Sequence, residues 1–147
     1  METASDGRED VKDQVREANE RFYRALETLD LSAMARLWLH APWVRCIHPG
    51  WDVLVGWESV HESWRQVFAN TPWIRVTATQ VQVEVFGEVA LVGCAENITT
   101  GRDGEVGVAV AQATNLFMRT VDGWRLIHHH ASSAPVHVTQ PFSGIVQ

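Results

Sequence analysis

Cysteine is scarce. Cys46 and Cys94 are the only two, far apart in the sequence, which fits free thiols in a reducing compartment better than a disulfide scaffold. Cations are also short: 12 Lys and Arg stand against 18 Asp and Glu, for a formal charge of -6. That balance leaves no basic stripe for a phosphate backbone, so nucleic acid is not expected as a partner. No apolar run approaches the roughly 20 residues that span a bilayer. Residues 1–10 are polar and acidic rather than basic and then apolar, so neither a membrane span nor a secretory signal is expected, and the reading is a cytoplasmic protein. A glycine-rich phosphate motif is missing too, so no organic cofactor is expected. Tyrosine occurs once. Against these shortages stand seven Trp and seven His in 147 residues that are 46% apolar. The chain has the size and composition of one soluble globular domain. Flat apolar walls with imidazoles among them are the makings of a pocket, although tryptophan is also ordinary core filling.

Residues 1–9 carry no apolar anchors and read as a flexible leader. From Val11 the apolar positions Val15, Ala18, Phe22, Ala25, Leu26 and Leu29 recur at the spacing of one helical face. Asp30 is placed to cap a short second helix bearing Met34, Leu37 and Trp38, which Pro42 ends. Two short strands, 43–47 and 51–55, bracket the turn residues His48, Pro49 and Gly50. After Gly56, Trp57, Val60, His61, Trp64, Val67 and Phe68 define a third helix that stops before Pro72. Beyond Pro72 the period falls from about 3.6 to 2. Strands over 74–86, 89–100, 106–120 and 124–132, joined by turns at Gly87, Gly104 and Gly123, form an antiparallel meander. Residues 135–147 are a tail with isolated apolar residues.

Helices followed by a meander is the α+β pattern. A strand as long as 106–120 must twist or bend within so small a domain. The expected fold is therefore a cone: three helices on a curved, mainly antiparallel sheet of about six strands enclosing a pocket.

Three groups of residues carry a family resemblance. They are Arg21, Phe22, Tyr23, Arg24, Ala25 and Leu26 leading to Asp30 and Leu31; Cys46, Ile47, His48, Pro49, Gly50 and Trp51 followed by Gly56 and Trp57; and the closing run from Asp122, Gly123 and Trp124 to Ser132. Together they resemble the nuclear transport factor 2-like superfamily, in particular its SnoaL-like and ketosteroid-isomerase-like branch, over roughly residues 10–134. The resemblance implies a cone with an apolar cavity at its wide end and a homodimer formed through the sheet. It also implies a general base just before a proline, which here is His48 before Pro49. The oxyanion donors of isomerase-like members match Phe22 or its neighbour Tyr23, and Asn115. Phe22 has no proton to donate and Asn115 is a weaker donor than a carboxylic acid, so what carries over is the scaffold rather than steroid isomerisation. The superfamily hosts many activities, and its fold does not fix one.

The residues themselves suggest where polar groups gather. Strict alternation puts Trp124, Leu126, His128, His130 and Ser132 on one face of the last strand and Arg125, Ile127, His129 and Ala131 on the other. The first set has more apolar bulk, so His128 and His130 are expected in the cavity. An imidazole with an ordinary pKa of about 6.5 serves as acid or base near neutrality. His48 would be the base, His128 or His130 a second acid–base group, and Asn115 an orienting donor. In the plainer readings His48 closes its turn through a backbone bond, and the strand histidines are satisfied by neighbours. A third arrangement gathers His48, His128 and His130 around a divalent metal, which their spacing permits without diagnosing it; the preferred reading has no metal. Glu96 would be a proton-transfer group if buried, but the commoner fate of such a residue is a solvated outward charge, and that is expected here. Cys46 and Cys94 read as small buried residues. Gly107, Ala109, Ala111 and Ala113 alternate along one face, where a helix or second subunit could come close.

The expected function is a cofactor-independent acid–base enzyme, an isomerase, dehydratase, cyclase or hydrolase, acting on a small apolar oxygenated substrate. Its catalytic residues would be His48, His128, His130 and Asn115, with Phe22, Trp51, Trp57 and, were it to face inward, Glu96 against the ligand. The alternative is a non-catalytic ligand-binding or dimerisation module of the same fold. Convergence of the three histidines on one point would favour chemistry.

Overall fold

The change of period at Pro72 divides the chain, with all three helices before it and the four long strands after it. In the computed structural model, which describes residues 3–136, the elements are α1 (Thr3–Glu27), α2 (Leu31–Leu37), β1 (Arg45–Ile47), β2 (Leu54–Val55), α3 (Trp57–Ala69), β3 (Trp73–Phe86), β4 (Val89–Arg102), β5 (Glu105–Thr120) and β6 (Gly123–Ala134). The expected cap of α2 is present: the Asp30 carboxylate accepts from the Ala33 amide at 3.0 Å. Two expectations shift at this end of the chain. Helix α1 starts at Thr3, within the segment read as a leader, because Ala4, Arg8 and Glu9 favour helix even without apolar anchors. Trp38 falls just outside α2, as its C-cap with extended backbone, and bridges to Leu126 of β6. Most of the expected C-terminal tail, residues 137–147, lies outside the described residues.

The fold is α+β, with a six-stranded sheet in the order β2-β1-β6-β5-β4-β3. β1 runs parallel to β6 and every other pair is antiparallel, so the sheet is mixed. Its inner face meets the helices. α1 buries Val15, Ala18, Phe22 and Leu26, and α3 buries Val60, Trp64 and Phe68, against Val92, Ala111, Phe117 and Leu126 of the sheet. Each large side chain so buried contributes about 1.5–3 kcal/mol. Of the alternating small residues on β5, Ala111 and Ala113 are buried on this inner face, while Gly107 and Ala109 are exposed. Among the described residues no helix is long and apolar enough to cross a membrane.

Two bulges bend the sheet. In β3 the register shifts between Thr79 and Gln82, with Gln80 at φ 54. In β6, Leu116 of β5 pairs with His128 while Phe117 pairs with Leu126, so Ile127 is an extra residue with no partner. An extra residue exchanges the faces of everything beyond it. Trp124 and Leu126 point inward as expected, but past Ile127 the inward residues are His129 and Ala131. His128 and His130 are thus on the outer face, contrary to the alternation read from the sequence.

Candidate functional site

The inner face of the sheet carries a chain of polar side chains that runs from β6 to β4 by way of α1. On α1, Asn19 and Tyr23 stand one turn apart on the face turned to the sheet, and both are buried. Opposite them β4 presents Cys94 and Glu96, β5 presents Asn115 and β6 presents His129, each buried. Glu96 therefore faces inward, and the expectation of a solvated charge is corrected: it lies two residues from Cys94, on the same side of a strand whose inner face the helices cover.

Their hydrogen bonds have a direction. The Asn115 amide oxygen can only accept, so the His129 Nδ1 at 2.6 Å donates to it. The Asn115 Nδ2 donates to Asn19 Oδ1 at 2.9 Å and to the Tyr23 phenol oxygen at 3.2 Å. Tyr23 in turn donates to Glu96 Oε2 at 2.6 Å, and its oxygen lies 3.4 Å from Cys94 Sγ. With Nδ1 carrying the proton, the neutral His129 imidazole keeps its Nε2 lone pair.

His48 follows β1, whose parallel pairing sets Cys46 opposite His129. The Ser63 hydroxyl of α3 donates its one proton to the Val60 carbonyl at 2.7 Å, so at 2.9 Å it accepts from His48 Nε2. His48 thus bonds a side chain of α3, and its Nδ1 lone pair is the one left unused. Cys46 Sγ lies 3.6 Å from the same Nε2. The two imidazole centroids are 6.5 Å apart, and Trp64 packs against both, at 4.6 Å from His48 and 5.9 Å from His129. Phe22 packs on His129 at 4.9 Å and on Tyr23 at 4.8 Å. Among the described residues the indole N–H of Trp64 is buried without a hydrogen-bond partner.

Burial sets the protonation of these groups. It lowers His48 to about 4. It lowers His129 to about 3, helped by the imidazoles of His48, His128 and His130, so both rings are neutral at pH 7. Burial raises the Glu96 carboxyl, partly opposed by the Tyr23 bond, and raises the Tyr23 phenol and the Cys46 thiol. Two neutral bases therefore share this interior with a carboxyl group that holds its proton more tightly than usual, which His129 reaches through Asn115 and Tyr23.

Other sequence candidates fall elsewhere. His128 and His130 face each other at 6.4 Å on the outer surface of β6. Because His48 is inside the sheet and these two are outside, the three do not converge on one point, for chemistry or for a metal. Among the described residues no group of three or more His, Cys, Asp or Glu is placed to hold an ion. Trp51 is 40% exposed and its ring lies 4.7 Å from His48; with Leu54, Ser59, Ser63 and Gln66 it lines a cleft of about 350 Å³. Trp57 stacks instead on His40 at 4.3 Å and His61 at 5.0 Å, beside a different cleft. The sequence reading missed His129, Asn19 and Ser63. The i, i+4 spacing of Asn19 and Tyr23 on a helix otherwise apolar on that face was the available signal.

The profile of the SnoaL-like domain family matches residues 15–137. A solved structure from Streptomyces avermitilis, a proposed dehydratase of the NTF2-like family, is 38% identical, with a TM-score of 0.84 over 87% of this chain and 99% of that one. Another, from Thiobacillus denitrificans, is a proposed calcium/calmodulin-dependent protein kinase type II association domain. It is 30% identical, with a TM-score of 0.73 over 80% of this chain and 93% of that one. Among curated proteins the chain is 28% identical over 114 residues to the F-box protein SKIP8 of Arabidopsis thaliana, matching 78% of this chain. It spans about half of that relative's length, 47%.

Proposed function

The chain belongs to the SnoaL-like domain family of the NTF2-like superfamily, and from that premise we propose that it is an acid–base enzyme removing water from a small, largely apolar hydroxylated substrate. The observation that carries this reading is the pair of neutral buried imidazoles, His48 and His129, each with one nitrogen engaged by protein and the other unused, against the shared Trp64 wall. Dehydration needs a base for a proton beside a carbonyl and an acid for the departing hydroxyl. His48 Nδ1 takes the carbon-bound proton, the carbon–oxygen bond breaks, and the Glu96 carboxyl supplies the proton that turns the leaving hydroxide into water. Asn115 positions His129, whose Nε2 accepts from the substrate hydroxyl, while Phe22 and Trp51 flank the bound molecule. The identity to a proposed dehydratase supports this choice among acid–base reactions.

A suitable probe is 4-hydroxy-4-phenylbutan-2-one, whose dehydration product absorbs in the near ultraviolet. His48→Gln and Glu96→Gln should each lower the rate by about 100-fold or more, with melting temperatures that show an intact fold. Turnover unchanged in His48→Gln would remove His48 as the base.

The same reading takes the chain as a cytoplasmic homodimer joined through the outer face of the sheet. Support comes from a shallow polar basin of about 770 Å³ there, lined by Gln80, Gln82, Gln112, Thr114, His130 and Ser132, and from two buried free thiols. A second reading, an assembly module without catalysis, is favoured by the 30% identity to a proposed kinase association domain. Light scattering of the purified chain tests the dimer, and absence of turnover with a defined oligomer would favour the second reading.

A further inference from the structure

A second cleft, chemically unlike the interior, lies between α1, α2 and the turn from β5 to β6. It has a volume of about 450 Å³ and is lined by four arginines, Arg21, Arg24, Arg36 and Arg125. That is a third of the 12 basic side chains in a chain of formal charge -6. Two carboxylates, Asp30 and Asp122, share the border, so four positive charges less two negative leave an excess of two. Asp30 is already engaged as the cap of α2.

Among the described residues none of the four arginines is in an ion pair. Glu17 and Glu20 precede Arg21 and Arg24 by four residues, the order and spacing in which such pairs stabilise a helix. Among the described residues, however, neither arginine forms an ion pair, whereas Arg16 meets Asp13 at 2.7 Å and Arg65 meets Glu62 at 2.5 Å. Arg36 is held by the Ser32 hydroxyl at 2.8 Å, and Arg125 donates to the Arg36 carbonyl. The first bond lies within α2, the second links β6 to it, and both leave further guanidinium N–H groups for a ligand. Buried Trp124 and Ala25, with Leu37, supply an apolar wall. Four like charges brought together repel one another, and an anion in their midst relieves the repulsion.

The geometry points to a binding site for a small organic phosphomonoester, its phosphate held by Arg21, Arg24 and Arg125 and its apolar or aromatic body set against Trp124 and Leu37. A phosphomonoester carries close to two negative charges at pH 7, matching the excess, and its oxygens suit the planar guanidinium fork. The volume leaves room for a body beyond the phosphate. The site is independent of the interior acid–base reading.

Calorimetric titration of the full chain with phenyl phosphate, and with inorganic phosphate for comparison, tests the assignment at near-physiological salt. The expected result is saturable one-to-one binding of phenyl phosphate, with inorganic phosphate at least about tenfold weaker. Arg21→Gln/Arg24→Gln and, separately, Arg125→Gln should each weaken phenyl phosphate by about tenfold or more, and Arg65→Gln should leave it unchanged. Glutamine keeps helix propensity on α1, and Arg125→Gln provides an independent arm should the double variant not fold. Any one of three results overturns the site: no saturable binding, unaltered affinity in both cleft variants, or an equal loss in Arg65→Gln. Equal affinity for inorganic phosphate overturns the apolar subsite.

Discussion

The His129 imidazole gives its Nδ1 proton to the Asn115 amide oxygen across 2.6 Å, and this bond determines which nitrogen of a buried ring keeps its lone pair. The Asn115 amide is oriented in turn, because its Nδ2 meets Asn19 Oδ1 and the Tyr23 oxygen. A neutral histidine held in one tautomer by a neutral amide is a base whose availability does not depend on a nearby charge.

Asn115→Leu keeps the volume and removes both halves of this arrangement. His129 Nδ1–H and Asn19 Oδ1 each lose a buried partner, and stability should fall by roughly 2–4 kcal/mol. Urea unfolding at pH 7 measures it. A loss no larger than that of a surface substitution would mean the network contributes little to the folded state.

The two buried imidazoles should make the protein acid-sensitive. Their folded-state values, about 4 for His48 and about 3 for His129, lie below the ordinary 6.5. The unfolded chain therefore binds protons first as pH falls, so stability is full above about 6.5 and declines on acidification through the folded-state values. Glu96 has the opposite sign: its raised value favours the folded state at low pH and loses that advantage as pH rises. His48→Gln should flatten the stability profile between pH 6.5 and 4 by up to about 1.4 kcal/mol per pH unit. A profile parallel to that of the wild type would show that His48 is not buried neutral.

Trp64→Phe retains an aromatic wall between His48 and His129 while deleting an indole N–H that has no partner among the described residues. Relief of that unpaired donor should offset much of the lost packing, leaving a net change within about 1–2 kcal/mol, whereas Trp64→Ala should cost about 3–5 kcal/mol. Thermal melts of both variants decide. Equal losses would show that the N–H already has a favourable environment.

Gly56 fixes where α3 begins, and with it Ser63 and Trp64. Its φ of 94 and ψ of 148 suit glycine alone, and an added Cβ would stand 3.3 Å from the Pro42 carbonyl oxygen. Gly56→Ala should cost about 2–3 kcal/mol. Gly87→Ala, also at positive φ but facing open space, should cost about 1 kcal/mol. Chemical denaturation of the pair tests the difference.

The helices and the meander were legible because their periods differ so clearly on either side of Pro72. His48 was legible through its position before Pro49, and Asn115 through the family resemblance. The face of β6 was not. A bulge depends on the register of a neighbouring strand, and Ile127 has nothing in its chemistry to mark it as an extra residue; the histidine triplet hides the shift because any face shows imidazole. The orientation of Glu96 was within reach, since it shares parity with Cys94, but composition argued for an outward charge. The parallel pairing of β1 with β6 joins residues distant in the chain, and no local pattern encodes it.

That pairing also bears on how the site comes into being. His48 belongs to the first third of the chain and His129 to the final strand, and they become neighbours only when β1 docks alongside β6. Closing so long a loop is slow compared with forming helices and hairpins. Until β6 is in place, His48 lacks its counterpart and Asn115 has no imidazole to orient, so the pairing of the two buried imidazoles waits on this non-local contact.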